Sequence, residues 1–258
     1  MRWLLTLVFT TLVSMPLAFA EPLKLTTLHW PPYVEADGEG PNTDVVRDIF
    51  SLAGVQIEVE VFPWNRAIKL AEEDTGWIGV FPEYYSAEID AEKGGSRCLF
   101  SKSFGVSPVG FLKPENGDFN WSDHDDLTQY VIGVVRGYVN ETRLDAMIAD
   151  QKVTAELSEN DEQNILKLAF RRMDAIVIDK LVFDYLKSKS VAVARVADSL
   201  EFHPKLLVEH GLRICFENSA RGRQARDLFD AQIANRPNRR PEPVPEDGMG
   251  TPAVSSDG

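Results

Sequence analysis

The sequence predicts an α/β protein of two lobes, each lobe a mainly parallel sheet flanked by helices. Three observations predict it. Short apolar strands alternate with amphipathic helical stretches from residue 23 onward, the pattern of βαβ units. The alternation gives way to a less regular stretch and resumes at Val131, which suggests two such runs separated near residue 110. The 258 residues contain enough chain for two cores, with 44% hydrophobic residues.

The elements follow in order. Leu23 to Leu28 reads as a first strand. Val45, Val46, Ile49, Phe50 and Ala53 recur at helical spacing, with Gly54 placed to end that helix. Gln56 to Phe62 alternates cleanly, and Pro63 suits the first position of a helix through Trp64, Ala67, Ile68 and Ala71 that ends near Asp74-Thr75-Gly76. Trp77 to Phe81 is a short apolar strand. In the second run, strands are predicted over Val131 to Val135, Ala175 to Ile178, Val191 to Val196 and Leu212 to Phe216. Helices are predicted over Glu141 to Ala149, Asn164 to Arg172 and Lys180 to Lys187, and Ser219 can cap a last one through Ala225, Leu228, Phe229 and Ile233.

The two ends of the chain read differently. Arg2, the apolar run Leu4 to Val13 and the small-x-small Ala18-Phe19-Ala20 form an export signal, residues 1–20, with cleavage before Glu21. The apolar run is too short to span a bilayer comfortably, so no membrane insertion is expected. A periplasmic, secreted and soluble product follows. From Arg236 to Gly258 the chain is rich in Pro, Gly, Ser and Glu and cannot bury enough apolar surface to offset its ordering entropy, so a disordered tail is expected at 236–258.

Charge and motif content remove several classes of function. With 27 basic and 40 acidic side chains the formal charge is −13, which repels nucleic acid and anionic lipid. Two cysteines and four scattered histidines (His29, His124, His203, His210) show no metal-ligand spacing, so no metal and no cofactor are expected. Phosphate-loop, dinucleotide and serine- or zinc-hydrolase motifs are missing. Cys98 and Cys215 each lie beside apolar residues. They read either as a disulfide, which an oxidising compartment permits, or as two buried thiols.

The order of several short motifs carries a resemblance. Trp30-Pro31-Pro32-Tyr33, Pro63-Trp64-Asn65-Arg66-Ala67, Tyr84-Tyr85-Ser86, Leu99-Phe100-Ser101, Asp126-Leu127, the run Ile132 to Tyr138 and Arg172 to Asp179 together resemble the family 3 extracellular solute-binding proteins. These are type II periplasmic binding proteins that usually serve polar amino acid ABC transporters. The resemblance runs from about residue 22 to about 235. It implies lobe 1 from 21–108 plus 212–235, lobe 2 from 109–211, and hinge strands around Pro108 to Lys113 and Val208 to Phe216. It also implies amino acid transport as the setting, a monomer that captures a small polar or amine-bearing ligand between the lobes, and a partner that is an ABC permease or a membrane sensor.

Candidate ligand-binding residues follow. Trp30, Tyr33, Trp64, Tyr84 and Tyr85 fall at or just beyond the C-terminal ends of lobe 1 strands, where open α/β sheets place their ligands; their alternative is core packing. Trp and Tyr pair a flat apolar face with a hydrogen-bonding edge, which suits an amine, a ring or a sugar. Arg136, Gly137 and Tyr138 follow a strand and precede a helix, a place where backbone N–H groups bind anions. Asp179 closes a strand where the resembled family holds a ligand ammonium, and it also suits a helix N-cap. The amino-acid-binding members carry a carboxylate-clamping arginine shortly after the third strand. Ile89 stands there instead, with Arg66 and Arg97 nearby but out of register. An enzyme of the same fold, dehydratase-like, would need a carboxylate such as Glu83 opposite an Arg-lined anion pocket.

Overall fold

The computed structural model describes residues 21–235. The expected export signal and the expected tail lie outside that range. Nine strands and seven α-helices are found among the described residues, in the order β1 (Leu23–Thr27), α1 (Pro41–Leu52), β2 (Ile57–Val61), α2 (Trp64–Glu73), β3 (Gly79–Glu83), β4 (Cys98–Phe100), β5 (Gly105–Pro114), β6 (Val131–Val135), α3 (Thr142–Ala149), β7 (Thr154–Ser158), α4 (Asp161–Ala169), β8 (Ala175–Asp179), α5 (Lys180–Lys189), α6 (Val191–Ala194), β9 (Leu200–Glu217) and α7 (Ala220–Ile233).

The strands lie side by side as β2-β1-β3-β9-β5-β8-β6-β7, with β4 also paired to β9. β1 is parallel to β2 and β3, and β6 is parallel to β7 and β8. Two parallel units, one for each lobe, are therefore joined through antiparallel β5 and β9. The strands that carry the expected lobe boundaries are thus the two long ones. β9 pairs with β5 along most of its length, then with β3 and β4 at its C-terminal end.

Side-chain alternation explains how lobe 2 holds two layers of helices. On β5, Phe111 joins the core with Trp121, Leu127, Ile132 and Leu144, while Leu112 joins Ile165, Ile176 and Phe183 on the other face. A strand buried on both faces reads as a continuous apolar run, and Ala175 to Ile178 is one. In lobe 1 the centre is aromatic: Phe50 of α1 packs on Phe229 of α7 at 5.2 Å between ring centroids, with Phe216 of β9 beside them. Cys98 and Cys215 are disulfide-bonded, tying β4 to β9 in a cluster with Ala67, Val80 and Phe100.

Several expectations need correction. Val191 to Val196 is not a strand. Its first four residues form α6, capped by the Ser190 hydroxyl that accepts from Val193 N. Both sides of β8 are already taken by β5 and β6, so the segment has no place beside that strand. β3 starts at Gly79, two residues late, because a turn holds Trp77 N on the Asp74 carbonyl. The predicted strand Leu212 to Phe216 is only the end of the 18-residue β9. The rest was hidden by a bulge: Gly110 faces Leu206 and Leu112 faces Phe202, so His203, Pro204 and Lys205 oppose Phe111 alone. Pro63 serves as the N-cap of α2 and not its first residue.

Candidate functional site

In an open α/β sheet the loops beyond the C-terminal ends of parallel strands converge on one edge, and ligands bind there. Here both parallel units point that edge at the same place. Trp30 and Tyr33 follow β1, Trp64 opens α2 after β2, and Tyr84 follows β3. From the other lobe come Tyr138 after β6, Asp161 after β7 and Asp179 at the end of β8.

Contacts between the lobes are direct. The Tyr33 hydroxyl donates to Asp179 Oδ2 at 2.8 Å. The Ser107 hydroxyl of β5 donates to the same oxygen, and Tyr84 Oη lies 2.6 Å from Ser107 Oγ. Asp179 Oδ1 accepts from Val182 N at 2.9 Å and so caps α5. Asp179 is 4% exposed and has its oxygens filled from within the chain. Burial raises its pKa, and the donors from Ser107, Val182 N and Tyr33 pull it back in part. The Trp64 indole N–H donates to the Gly137 carbonyl at 3.1 Å, and its ring meets Tyr138 edge-on at 6.4 Å.

Two cavities flank Trp30. One, of about 30 Å³, is lined by Leu28, Trp30, Trp64, Pro82, Glu83, Tyr84, Tyr138 and Val139. The other, of about 250 Å³, is lined by His29, Trp30 and Pro31 on one side and by Asn160, Asp161, Glu162, Val182 and Leu186 on the other. Trp30 stacks on Tyr33 at 4.5 Å and meets Tyr84 edge-on at 6.0 Å. Asp161 is 7% exposed, and its carboxylate accepts one long hydrogen bond, 3.3 Å, from the Tyr138 hydroxyl. Burial, with the Asp179 charge adding to it, lifts the Asp161 pKa to about 7. Burial likewise lifts the Tyr84 and Tyr138 hydroxyls well above the phenol range.

Of the sequence candidates, Trp30, Tyr33, Trp64, Tyr84, Gly137, Tyr138 and Asp179 meet in this cleft. Three do not. Arg66 is exposed and lies over the Phe62 ring at 5.3 Å. Tyr85 is 38% exposed and packs on Phe100 at 5.1 Å, because its side chain points to the opposite face of the chain from Tyr84. Arg136 is turned to solvent against Glu159, Nε to Oε1 3.1 Å. The anion seat expected at this turn is taken as well. Glu141 caps α3, accepting from Arg143 N and Leu144 N. Arg136 N donates to the Ser158 carbonyl and Tyr138 N to that of Val135.

Gly137 has φ +80°, and a Cβ there would collide with Asn65 Oδ1. Gly137→Ala is expected to cost about 1–2 kcal/mol for the left-handed backbone alone and to displace the Asn65 side chain beside Trp64. Urea denaturation measures the cost, and an unchanged midpoint would contradict it.

Solved structures provide the comparison. A histidine kinase sensor domain with similarity to periplasmic binding proteins superposes with a TM-score of 0.67 at 13% identity, over 83% of this chain and 89% of that one. The arginine-bound form of truncated ArgBP from T. maritima gives 0.63 at 14% identity, over 83% and 95%. The substrate binding protein of an amino acid ABC transporter gives 0.62 at 17%, over 83% and 92%. This is the two-lobed periplasmic-binding-protein-like fold. At these identities the likeness shows the fold alone. No family model matches the chain, and no curated protein matches its sequence.

A charge on a ligand buried in a cleft needs a counter-charge there. Among the described residues no lysine or arginine lines either cavity. Arg97, the remaining candidate to replace the missing clamp, is bound to buried Glu83 at 3.3 Å. Ile89 packs beside the disulfide. Neither of these two cavities has the arginine lining that a dehydratase-like enzyme would need. Glu83, whose pKa burial raises against the pull of Arg97, is held in an ion pair. The cleft residue that sequence reasoning missed is Asp161. Its signal was present: Asn160 caps α4 by accepting from Gln163 N, and Glu159 N donates back to Gln163 Oε1.

Proposed function

We propose that this protein is a periplasmic solute-binding protein that captures a small amine-bearing solute between its lobes for an ABC permease. The observation that carries the reading is a pair of cavities beside Trp30 with carboxylates and no lysine or arginine in their lining: Glu83 with Trp64, Tyr84 and Tyr138 in one, Asp161 and Glu162 with His29 in the other. Aromatic faces attract organic cations, and buried carboxylates complete the attraction where water is excluded. The solved structures of the same fold include an arginine-bound protein and a transporter's substrate binding protein, which supports capture of a nitrogenous solute. A zwitterionic amino acid would bring a carboxylate for which the cleft has no cationic partner. A sensing role is the second reading, supported by the kinase sensor domain among the similar structures.

The test is a melting-temperature screen at pH 8 with alkylamines, choline, arginine, glutamate, butyrate, succinate and glucose. A ligand at a hundredfold excess over Kd adds about 2.7 kcal/mol, which in a chain of this size raises Tm by roughly 5–10 °C. Amines are expected to give that shift. Stabilisation by butyrate, succinate or glucose with none by any amine would overturn the reading.

A further inference from the structure

We propose that Asp161, and not Asp179, is the counter-charge that seats the ligand's cation, and that the ligand is an organic cation without a carboxylate. This rests on the amine reading above and goes further, to a residue and a ligand class.

Two buried aspartates face the cleft, and they differ in what already holds them. Asp179 receives Tyr33, Ser107 and Val182 N, so a ligand ammonium would have to displace the chain's own donors. Asp161 has no lysine, arginine or histidine in an ion pair among the described residues. Its side-chain partner is the single long bond from Tyr138. A carboxylate offers about four acceptor positions, and a buried one left mostly unfilled is costly. Next to it lies a second unmet group. The buried Trp30 indole N–H comes close enough to help hold the Asp161 charge, yet it makes no hydrogen bond of normal geometry. A cation in the adjoining cavity would complete Asp161 and meet the Trp30 ring that lines the same space. The adjoining cavity of about 250 Å³ has room for a small body, with Val182 and Leu186 as its apolar wall.

The groups facing Asp161 are Tyr84 beyond β3, Tyr138 beyond β6, Asp179 at the end of β8, Glu162 on its own helix, and His29 beyond β1 across the same cavity. Of these, His29 stays in place in an Asp161 variant. The pH dependence that belongs to Asp161 is therefore the part its substitution removes.

The experiment uses choline and n-butylammonium, both fully charged from pH 5.5 to 8, titrated calorimetrically into the wild-type protein and three variants. Asp161 is held at about 7 in the absence of ligand, so only the ionised fraction is competent, and wild-type affinity falls about 30-fold between pH 8 and pH 5.5. Asp161→Asn is expected to lose 10- to 100-fold at pH 8 and to become nearly flat with pH. Asp161→Glu is expected to restore part of the affinity. Asp198→Asn, which removes the same charge from an exposed position, leaves affinity within about twofold. The wild-type titration needs no variant to fold. Amine binding that is unchanged in Asp161→Asn, or equal at pH 5.5 and 8 in the wild type, overturns this inference and leaves the amine reading standing. Failure of every amine to bind overturns both.

Discussion

Replacing Cys98 and Cys215 together by alanine is expected to lower stability by about 2–5 kcal/mol. The bond joins positions 117 residues apart, so the loop it closes contains β5 to β8 and most of β9. Cutting it returns that freedom to the unfolded chain, and loops of this length lie at the upper end of the range. The folded chain loses less. β4 still pairs with β9, Leu99 opposite Phe216 and Phe100 opposite Cys215, and both cysteines sit in an apolar cluster that alanine leaves apolar. Urea denaturation checks this, with a lower midpoint and an equal or larger slope because the uncrosslinked unfolded chain exposes more surface. Neither cysteine lines the cleft, so amine affinity should persist in the folded variant. A loss under about 0.5 kcal/mol would show that the bond adds little beyond the strand pairing.

Asp161→Asn is expected to make the ligand-free protein more stable at pH 8 while it weakens binding. The Asp161 carboxyl is raised from 3.8 to about 7 on folding, chiefly by burial. Between those values the folded state keeps a proton that the unfolded chain releases, so this group's contribution is full below about pH 4 and is lost as pH rises through 7. Asp179, raised in the same direction, adds to the same slope. At about 1.4 kcal/mol for each unit, the neutral amide removes a penalty of up to about 4 kcal/mol at pH 8 and about 0.5 kcal/mol at pH 4. Denaturation of both proteins at pH 4.5 and pH 8 tests it. A variant less stable than the wild type at pH 8 would mean that the charge is compensated inside the empty cleft. Stability lost to a charge that a ligand later neutralises is a common feature of binding sites.

Part of the site was legible because strand ends and aromatic residues announce themselves locally. Trp30, Trp64 and Tyr84 follow strands whose apolar periodicity is clear, and the fold turns all three into the cleft. Asp161 was missed through β7. Thr154 to Ser158 is a short edge strand with Leu157 44% exposed, so its pattern carries no strong period, and the loop after it was not recognised as a strand end. Tyr85 shows the opposite error. Adjacent tyrosines look equivalent in a sequence, yet a single residue step in an extended chain reverses the face.

The sequence by itself determined the layers of this protein. Apolar periodicity at two and at 3.6 residues places most strands and helices, and it forces them into sheets covered on both faces. What tertiary structure alone decided is which charges are spent. Asp179 is filled by Tyr33 from 146 residues away, Arg97 is consumed by Glu83, and Cys98 meets Cys215 across 117 residues. Such pairings depend on side-chain directions at the ends of distant elements, and no local pattern encodes them. Asp161 was left as the carboxylate still short of a partner because its neighbours beyond α4, Trp30 and Tyr138, have one polar hydrogen each and no positive charge to offer.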